Sequence, residues 1–276
     1  MEKPMKIAVV KVGGDVLLDI SERTGLASNI KEMIENGWSM VVLHGGGPQV
    51  NRLQEKVGLV PNKVAGRRIT GVDDLQVVKQ AIAGEVNVDL TALLSSHGIP
   101  AFGCHGASGK LIQAQKRPPI LVSGEGDTPI DFGEVGDVVS INAPLIQGLL
   151  ELGQVPVIAT LGMDDNGRIY NINADTTVVQ IAKALSANLL LLTTGVGGIF
   201  EDLAKPESRI KQVNREEANA LIRSGVIQGG MIPKVEEAMS VLDNGVETIA
   251  IVGGKISGAF LSVAQGDGEV GTRIIK

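Results

Sequence analysis

The first residues whose types could do chemistry are a lysine and two glycines at the end of an apolar run. Residues 7–10 are apolar throughout, and Lys11, Gly13 and Gly14 follow them. Ammonium groups are rarely buried without a partner, so we expect this lysine at a crevice beyond the carboxyl end of a strand. Glycines leave backbone N–H groups open to an anion. The combination predicts a phosphate site, although a surface lysine before an ordinary turn also fits this segment alone.

Four further segments carry residues that could bind a ligand. Three consecutive glycines, residues 45–47, follow a second apolar run, and they favour backbone amides that face a ligand over a simple tight turn. Asn171 and Asp175 precede a helical pattern, where they could bind a ligand or merely cap the helix. Lys234 follows two glycines, and taken alone it fits a solvated lysine. Arg67–Arg68 fits either a binding pair or a solvated charge pair.

Several widespread catalytic motifs are absent from the sequence. The segment from Gly106 to Lys110 is too short for a Walker A loop, and no GxGxxG fingerprint follows the first strand. There is no GxSxG nucleophile elbow, and the histidines lack metal-ligand spacing with Cys104. These absences favour a site built from glycine loops, lysines and an acid.

The composition predicts an α/β protein with an aliphatic core. Of the 276 residues, 43% are hydrophobic but only 2% are aromatic, so Val, Ile, Leu and Ala must fill the core. A net charge of −6 without basic runs argues against nucleic acid and acidic membrane surfaces as partners. The single cysteine excludes an internal disulfide and favours a reducing compartment. The sequence shows no secretory signal and no apolar run near the roughly 18 residues of a membrane span, so we predict a cytoplasmic protein.

Apolar runs alternate with helical patterns along the chain, and glycine-rich turns follow several of the runs. Repetition of strand, turn and helix predicts a parallel sheet with right-handed crossovers. Residues 61–71 are predicted to form a basic loop, and residues 111–142 to form β-hairpins over a site. The predicted strands are residues 7–10, 38–43, 99–104, 155–159, 189–194 and 248–252. The predicted helices are residues 26–34, 49–58, 143–152, 178–185, 214–224 and 235–244, and residues 73–97 are predicted to form one or two helices.

In this order, the segments resemble the amino acid kinase family over nearly the whole chain. The resemblance implies a three-layer α/β/α sandwich on a mainly parallel open sheet. It also implies two lobes, with residues 1–174 binding the acyl amino acid and forming a dimer, and residues 175–276 binding ATP. The matching segments are residues 11–14, 44–49, 66–70, 84–87, 170–176 and 229–235.

The family's site residues carry over where the motifs match. The resemblance implies that Lys11 and Lys234 flank the transferring phosphoryl group, that Asp175 organises them, and that Gly14 and Gly46 offer N–H groups to the γ-phosphate. It implies no metal ligands on the protein, because Mg²⁺ would arrive bound to the nucleotide. The implied substrate-binding residues are Gly46, Gly47, Arg68 and Asn171, and the implied nucleotide-binding residues are Thr194, Gly195, Val196, Gly197, Gly198, Ile199, Val226, Ile227, Gln228, Gly230 and Met231.

Within the family, the segments are most similar to kinases that use ATP to phosphorylate the γ-carboxylate of N-acetyl-L-glutamate in arginine biosynthesis, usually as homodimers. Such a carboxylate is already ionised at neutral pH, so catalysis needs positioning and charge stabilisation rather than a general base. Members inhibited by arginine carry an extra helix before the first strand, and because only residues 1–5 precede it here, the resemblance implies no arginine feedback through that helix.

Three positions depart from the family's usual pattern. Thr194 stands where Asp is common, Val88 where Lys is common, and residues 253–255 read Gly-Gly-Lys in place of Asp-Gly-Arg.

Two alternative functions stay open. One is a kinase for a related carboxylate, such as a carrier-linked aminoadipate or glutamate, and the other is a non-catalytic regulator of the same fold that binds nucleotide or an amino acid.

Overall fold

A computed structural model of the chain describes residues 5–122, 125–229, 231–242 and 245–276. The strands are β1 (Lys6–Val12), β2 (Trp38–His44), β3 (Lys63–Val64), β4 (Arg67–Arg68), β5 (Ala101–His105), β6 (Ile112–Lys116), β7 (Val135–Ile141), β8 (Val155–Ala159), β9 (Leu161–Met163), β10 (Ile169–Ile172), β11 (Leu189–Thr193), β12 (Ile199–Phe200), β13 (Arg209–Ile210), β14 (Gln212–Val213), β15 (Thr248–Val252) and β16 (Thr272–Ile274). The α-helices are α1 (Ile20–Glu35), α2 (Gly47–Lys56), α3 (Val72–Val78), α4 (Asn87–Ser96), α5 (Ala143–Glu151), α6 (Ala174–Ala184), α7 (Arg215–Arg223), α8 (Met231–Leu242) and α9 (Ala259–Gln265).

An eight-stranded sheet in the order β14-β16-β15-β11-β1-β2-β8-β5 forms the centre of the molecule. Its neighbouring strands pair in parallel except for β15 and β16, which are antiparallel. Strands of this kind are buried on both faces, which explains why β1, β2 and β11 are near-continuous apolar runs. The mainly parallel sheet that the sequence predicted is confirmed.

Helices cover both faces of the sheet. Alternate side chains of one strand enter different cores, so that Val9 packs on one face and Val10 on the other. The first core includes residues of α5, α6 and α8, and the second includes residues of α1, α4 and α9. This is the three-layer α/β/α sandwich of the prediction. No helix in the described ranges combines the length and apolar character needed to cross a bilayer.

Two small β-structures lie beside the sheet. Strands β6, β7, β9 and β10 close into a four-stranded barrel, in which β6 and β7 form the antiparallel hairpin predicted within residues 111–142. The basic loop predicted for residues 61–71 contains the two-residue strands β3 and β4. Both structures border the cleft described below.

Two helices begin four residues earlier than the sequence pattern indicated. Helix α6 begins at Ala174, because the Asn173 side chain caps it by accepting a hydrogen bond from the Thr176 N–H. Helix α8 begins at Met231 and includes residue 233, a proline, in its first turn. Proline is tolerated there because the N–H that it lacks would have no intrahelical partner. As a result, Asp175 and Lys234 lie in the first turns of helices rather than in loops.

Candidate active site

Two lysines and one aspartate meet at the carboxyl edge of the sheet. Lys11 Nζ lies 3.0 Å from Asp175 Oδ1, and Lys234 Nζ lies 3.8 Å from Asp175 Oδ2. The closer contact is an ion pair whose atoms are not aligned as a hydrogen bond. The structure therefore brings together three residues that are far apart in sequence, and the cluster as a whole carries net positive charge.

Each member of this cluster is fixed by a different element. Lys11 is only 7% exposed near the end of β1, and the Thr193 hydroxyl donates a 2.9 Å hydrogen bond to its carbonyl, which fixes β1 against β11. Asp175 lies in the first turn of α6, where the helix dipole favours an anion. Lys234 lies in the first turn of α8, where the dipole disfavours a cation. An anion placed between the two lysines would relieve that unfavourable position.

The glycine turns after β1 and β2 touch each other beside the cluster. A Cβ atom on Gly14 would lie 2.7 Å from Pro48 Cδ and 3.2 Å from the Gly47 nitrogen, so the contact between the two turns requires glycine at this position. Gln49 Nε2 donates a 3.0 Å hydrogen bond to the Gly14 carbonyl and links the first turn to α2. Gly46 is the N-cap of α2, and helix N-termini with free N–H groups bind anions.

A cleft of about 210 Å³ opens next to these turns. It brings together Gly46, Gly47, Arg68 and Asn171, which are the residues that the sequence proposed for substrate binding. Arg68 is held in place by hydrogen bonds to the side chains of α2 residues Gln54 and Asn51. The cleft therefore presents a fixed guanidinium and an amide beside a helix N-terminus.

The positive charge of this cleft is partly buried. Burial lowers the pKa of Arg68, although Asp74 acts in the opposite direction. Burial also lowers the pKa of Lys63 at the same cleft, and the charge of Arg68 adds to that effect. Cations that lose part of their hydration in this way favour the binding of an anionic ligand.

Two more clefts lie on the other side of the cluster. The nearer one, about 260 Å³, contains Lys11 and Lys234 together with Thr194, Gly195 and Val196. The farther one, about 660 Å³, shares Val196 and Met231 with it. Among the residues proposed for nucleotide binding, the farther cleft is lined by Val196, Gly198, Ile199, Val226, Ile227, Gln228 and Met231.

Two residues from the same proposal do not line these clefts. Gly197 lies outside both linings, and its N–H donates a 3.0 Å hydrogen bond to the Thr194 hydroxyl. Gly230 lies outside the described residues. Thr194 thus shapes the turn after β11 by accepting a hydrogen bond, which an aspartate at that position could also do.

A fourth cleft, about 440 Å³, connects the Arg68 cleft to the lysine cluster. Arg67 and Arg117 line both this cleft and the one that holds Arg68, while Asp175 and Lys234 line its inner end. A ligand seated at Arg68 can therefore reach the space between the lysines without crossing the core. Within the described ranges, no group of three or more His, Cys, Asp or Glu side chains is placed to hold a metal ion.

Comparison with known proteins decides the family. The model of the amino acid kinase family matches residues 6–253. The chain belongs to the amino acid kinase family. It is 43% identical over 269 residues to the acetylglutamate kinase of Anaeromyxobacter dehalogenans (strain 2CP-C), an alignment that covers 97% of this chain and 99% of that protein. It is 37% identical over 272 residues to the acetylglutamate kinase of Methanocaldococcus jannaschii, with coverage of 98% and 91%.

A solved structure supports the fold of this amino acid kinase family member. The crystal structure of smu.665 from Streptococcus mutans UA159 superposes with a TM-score of 0.77, at 30% identity and with 98% of each chain covered. The family resemblance stated from the motifs is confirmed, and so is the fold class that the resemblance implied.

Sequence reasoning missed part of the substrate-side cleft of this family member. Arg67, which the sequence offered as half of a possible binding pair, lines its wall. Lys63 and Arg117 add further positive charge, and Phe132 and Val135 supply apolar surface. The basic character of residues 61–71 was a usable signal for Lys63. The other three lie in or next to the barrel, and only the folded arrangement of β6 and β7 places them at the cleft.

Two residues among the departures from the family pattern, Val88 and Lys255, lie on the surface. Val88 is 61% exposed on α4, and Lys255 is exposed in the turn before α9. Neither residue lines any of the four clefts. Thr194 lines the nearer of the two clefts beyond the lysine cluster, and Gly253 packs beside it, where an added Cβ atom would lie 3.3 Å from Gly197 Cα.

The buried histidine that precedes the triple glycine makes stability sensitive to acid. Burial lowers the pKa of His44 from its usual 6.5 to about 4, while the hydrogen bond from its ring to the Gly45 carbonyl acts in the opposite direction. Between these two pH values the unfolded chain binds a proton that the folded chain does not. The stability contributed by neutral His44 is therefore complete above pH 6.5, and we expect a loss of about 3 kcal/mol as the pH falls toward 4.

Urea unfolding between pH 4 and 7.5 measures this effect. His44→Asn should flatten the slope of the unfolding free energy below pH 6.5, because the titrating group is gone. His97→Asn removes a half-buried histidine and is the matched control, for which the wild-type slope should persist. An unchanged slope in His44→Asn would contradict the assignment.

Proposed function

We propose that this protein is an ATP-dependent kinase that phosphorylates the γ-carboxylate of N-acetyl-L-glutamate to an acyl phosphate, as a step of arginine biosynthesis. The observation that carries the proposal is the position of the Lys11–Asp175–Lys234 cluster between a cationic substrate-side cleft and the two clefts on the β11 side. The names and the near-complete coverage of the relatives support it.

The transfer needs little covalent chemistry from the protein. A γ-carboxylate oxygen attacks the γ-phosphorus of ATP, the bond from that phosphorus to the bridging oxygen breaks, and ADP leaves with that oxygen. The carboxylate is already ionised, so no general base is required. Lys11 and Lys234 stabilise the charge on the transferring group from two sides, and the Gly14 and Gly46 N–H groups bind its oxygens.

Asp175 has a positioning role in this scheme. It holds the two ammonium groups close together before the phosphates arrive, and its place at the α6 N-terminus stabilises its own charge. Without it, the like charges of Lys11 and Lys234 would separate.

The substrate-side cleft suits an acyl amino acid with two carboxylates. We assign the α-carboxylate to Arg68 and the Gly47 N–H, and the acyl amide to Asn171. This arrangement leaves the γ-carboxylate pointing along the connecting cleft toward Lys234. The apolar surface of Phe132 and Val135 would cover the methylene groups.

We assign ATP to the clefts around Thr194 and Met231, with the phosphates toward the lysines. Mg²⁺ bound to the nucleotide would neutralise part of the phosphate charge. We also propose a division into a substrate lobe, residues 1–174, and a nucleotide lobe, residues 175–276, which the order of strands in the sheet supports. The first range contributes β5, β8, β2 and β1, and the second contributes β11, β15, β16 and β14.

We further propose a cytoplasmic homodimer. The edge strand β5 exposes 44% of Phe102, and the neighbouring helix α4 exposes 61% of Val88. Exposed sheet edges with apolar side chains pair readily with a second copy. This surface belongs to the substrate lobe, so dimerisation would leave the nucleotide clefts open.

Trapping the product with hydroxylamine tests the activity directly. Acyl phosphates react with hydroxylamine to give hydroxamates, which form coloured complexes with ferric iron. The expected result is hydroxamate and ADP in equal amounts from N-acetylglutamate and Mg²⁺ ATP. Glutamate, aspartate and aminoadipate derivatives are the comparison substrates. Activity only with a carrier-linked aminoadipate or glutamate would support the alternative that the basic wall of Lys63, Arg67 and Arg117 also fits. The absence of ADP with every compound would support a non-catalytic regulator.

A further inference from the structure

We infer that His44 is a positioning residue, whose imidazole fixes the peptide between Gly45 and Gly46 so that the Gly46 N–H faces the phosphoryl group in transfer. Asn87 holds the imidazole in the tautomer that this role requires. The inference rests on the proposed function, which assigns the Gly46 N–H to the phosphoryl oxygens. It gives a role to two buried side chains that line none of the clefts described above.

Two backbone carbonyls set the orientation of the Asn87 amide. Asn87 Nδ2 lies 2.8 Å from the Val157 oxygen and 3.3 Å from the Cys104 oxygen. Carbonyl oxygens only accept hydrogen bonds, so the atom that faces them is the amide nitrogen and not the amide oxygen. The same nitrogen lies 2.9 Å from His44 Nε2. Because an amide nitrogen offers only protons, Nε2 must be the acceptor of this hydrogen bond.

The other ring nitrogen of His44 faces a third carbonyl. His44 Nδ1 lies 2.9 Å from the Gly45 oxygen, so Nδ1 must carry a proton and donate it. With Nε2 accepting and Nδ1 donating, the imidazole is neutral and has a single tautomer. Burial favours the same neutral form, because it lowers the pKa of His44 to about 4. The hydrogen bond to Gly45 is therefore in place at neutral pH.

Fixing the Gly45 carbonyl also fixes the N–H of Gly46. Both groups belong to one trans peptide, in which the C=O and N–H bonds point in opposite directions. Since the carbonyl faces a completely buried side chain, the Gly46 N–H points away from the core. It donates to no group in the described part of the chain, and Gly46 lines the Arg68 cleft. This N–H is thus available to a ligand.

The helical segment before Asn87 also packs against Gly46. Residues Lys79–Val86, between α3 and α4, form a π-helix, a rare conformation that often marks functional sites. A Cβ atom on Gly46 would lie 3.2 Å from Ile82 Cγ1 and 3.3 Å from Val86 Cγ2. These contacts at the Cα and the hydrogen bond at the preceding carbonyl together restrict rotation of the peptide. The donor is therefore preorganised before the phosphates arrive.

His44→Leu tests the inference, because it removes the donor and keeps a side chain of similar volume. The Gly45–Gly46 peptide can then turn. Loss of the alignment of one N–H donor should lower kcat by about 10- to 100-fold, which is less than complete removal of such a donor. The KM for N-acetylglutamate should stay within a few-fold of wild type, since Arg68 and the Gly47 N–H bind the α-carboxylate. Steady-state kinetics measures both constants.

His44→Asn is the conservative variant that tests the hydrogen bond itself. The Nδ2 atom of asparagine and the Nδ1 atom of histidine are both bonded to Cγ, so asparagine can donate to the Gly45 carbonyl from nearly the same place. This variant should recover most of the turnover that His44→Leu loses. His97→Leu is the matched control, because it makes the same substitution at a histidine outside the clefts, and it should change neither kcat nor KM.

Binding of a transition-state mimic gives a readout that needs no turnover. Tetrafluoroaluminate with Mg²⁺ ADP and N-acetylglutamate mimics the phosphoryl group in transfer, and equilibrium titration measures its affinity. His44→Leu should weaken this complex by about 10- to 100-fold and leave the affinity for Mg²⁺ ADP alone unchanged. A complex equally tight in His44→Leu and in the wild type would overturn the inference.

Nitrogen NMR of the wild-type protein labelled with ¹⁵N in histidine tests the tautomer without any variant. We expect His44, assigned by the signals that are missing in His44→Asn, to be protonated on Nδ1 only. An Nε2–H tautomer would overturn the inference, as would equal losses of turnover in His44→Leu and His44→Asn. His44→Met replaces the leucine variant if that variant does not fold. A protein that binds the fluoroaluminate complex through His44 but phosphorylates none of the compounds would overturn the proposed function and leave the inference standing.

Discussion

Lys11→Ala is expected to lower turnover by about 10²- to 10³-fold while leaving the KM for N-acetylglutamate within a few-fold of wild type. Lys11 lines the nearer cleft on the β11 side and not the substrate-side cleft, so the variant loses charge stabilisation in transfer rather than ground-state binding. Lys234→Ala should behave in the same way, because Lys234 approaches the Asp175 carboxylate from helix α8. Steady-state kinetics of the two variants measures the effect.

Lys31→Ala is the matched control for these variants. Lys31 is exposed on α1 and lines none of the clefts, so its removal should change neither kcat nor KM. Near-normal turnover in Lys11→Ala or in Lys234→Ala would remove that lysine from the mechanism. A large rise in KM at constant kcat would instead make it a substrate-binding residue.

Asp175→Asn should reduce both stability and activity, for a reason different from that of the lysine variants. The change leaves two partly buried ammonium groups side by side with no counter-charge from this acid. Removing one partner of a buried ion pair costs about 3 kcal/mol, at the lower end of the usual range, since the aspartate is partly exposed. Lys11→Met should cost less, because Asp175 keeps Lys234 as a partner.

Urea unfolding with and without Mg²⁺ ATP separates this explanation from a general packing defect. The nucleotide phosphates supply the missing negative charge, so Mg²⁺ ATP should stabilise Asp175→Asn more than it stabilises the wild type. Equal stabilisation of the two proteins would mean that the phosphates do not enter the space between the lysines.

Most of the fold could be predicted from the sequence because the central strands are buried on both faces. Runs such as residues 189–193 can satisfy their environment only as interior strands, and glycine turns mark their ends. The two-residue strands β12 and β13 and the three-residue strand β16 were not predicted, because two or three residues show no period. The early starts of α6 and α8 were missed because capping acts over a single turn and leaves little periodic signal.

The candidate site could be predicted only where local residue types point to chemistry. Lys11 and the glycines that follow it indicate an anion site from their own sequence, whereas Asp175 and Lys234 look like ordinary capping and surface residues. Their connection came from the order of motifs along the chain. Phe132 gave no sequence signal, because a core aromatic residue shows no functional pattern until folding brings it to the edge of a cleft.

The most direct test is a crystal structure with ADP, Mg²⁺, N-acetylglutamate and tetrafluoroaluminate, a planar mimic of the phosphoryl group in transfer. We expect the Nζ atoms of Lys11 and Lys234 on opposite sides of the mimic, each within about 2.7–3.2 Å of it, and the γ-carboxylate in line with the aluminium. A complex in which either ammonium group turns away from the mimic, or in which the acyl amino acid binds outside the Arg68 cleft, would contradict the mechanism.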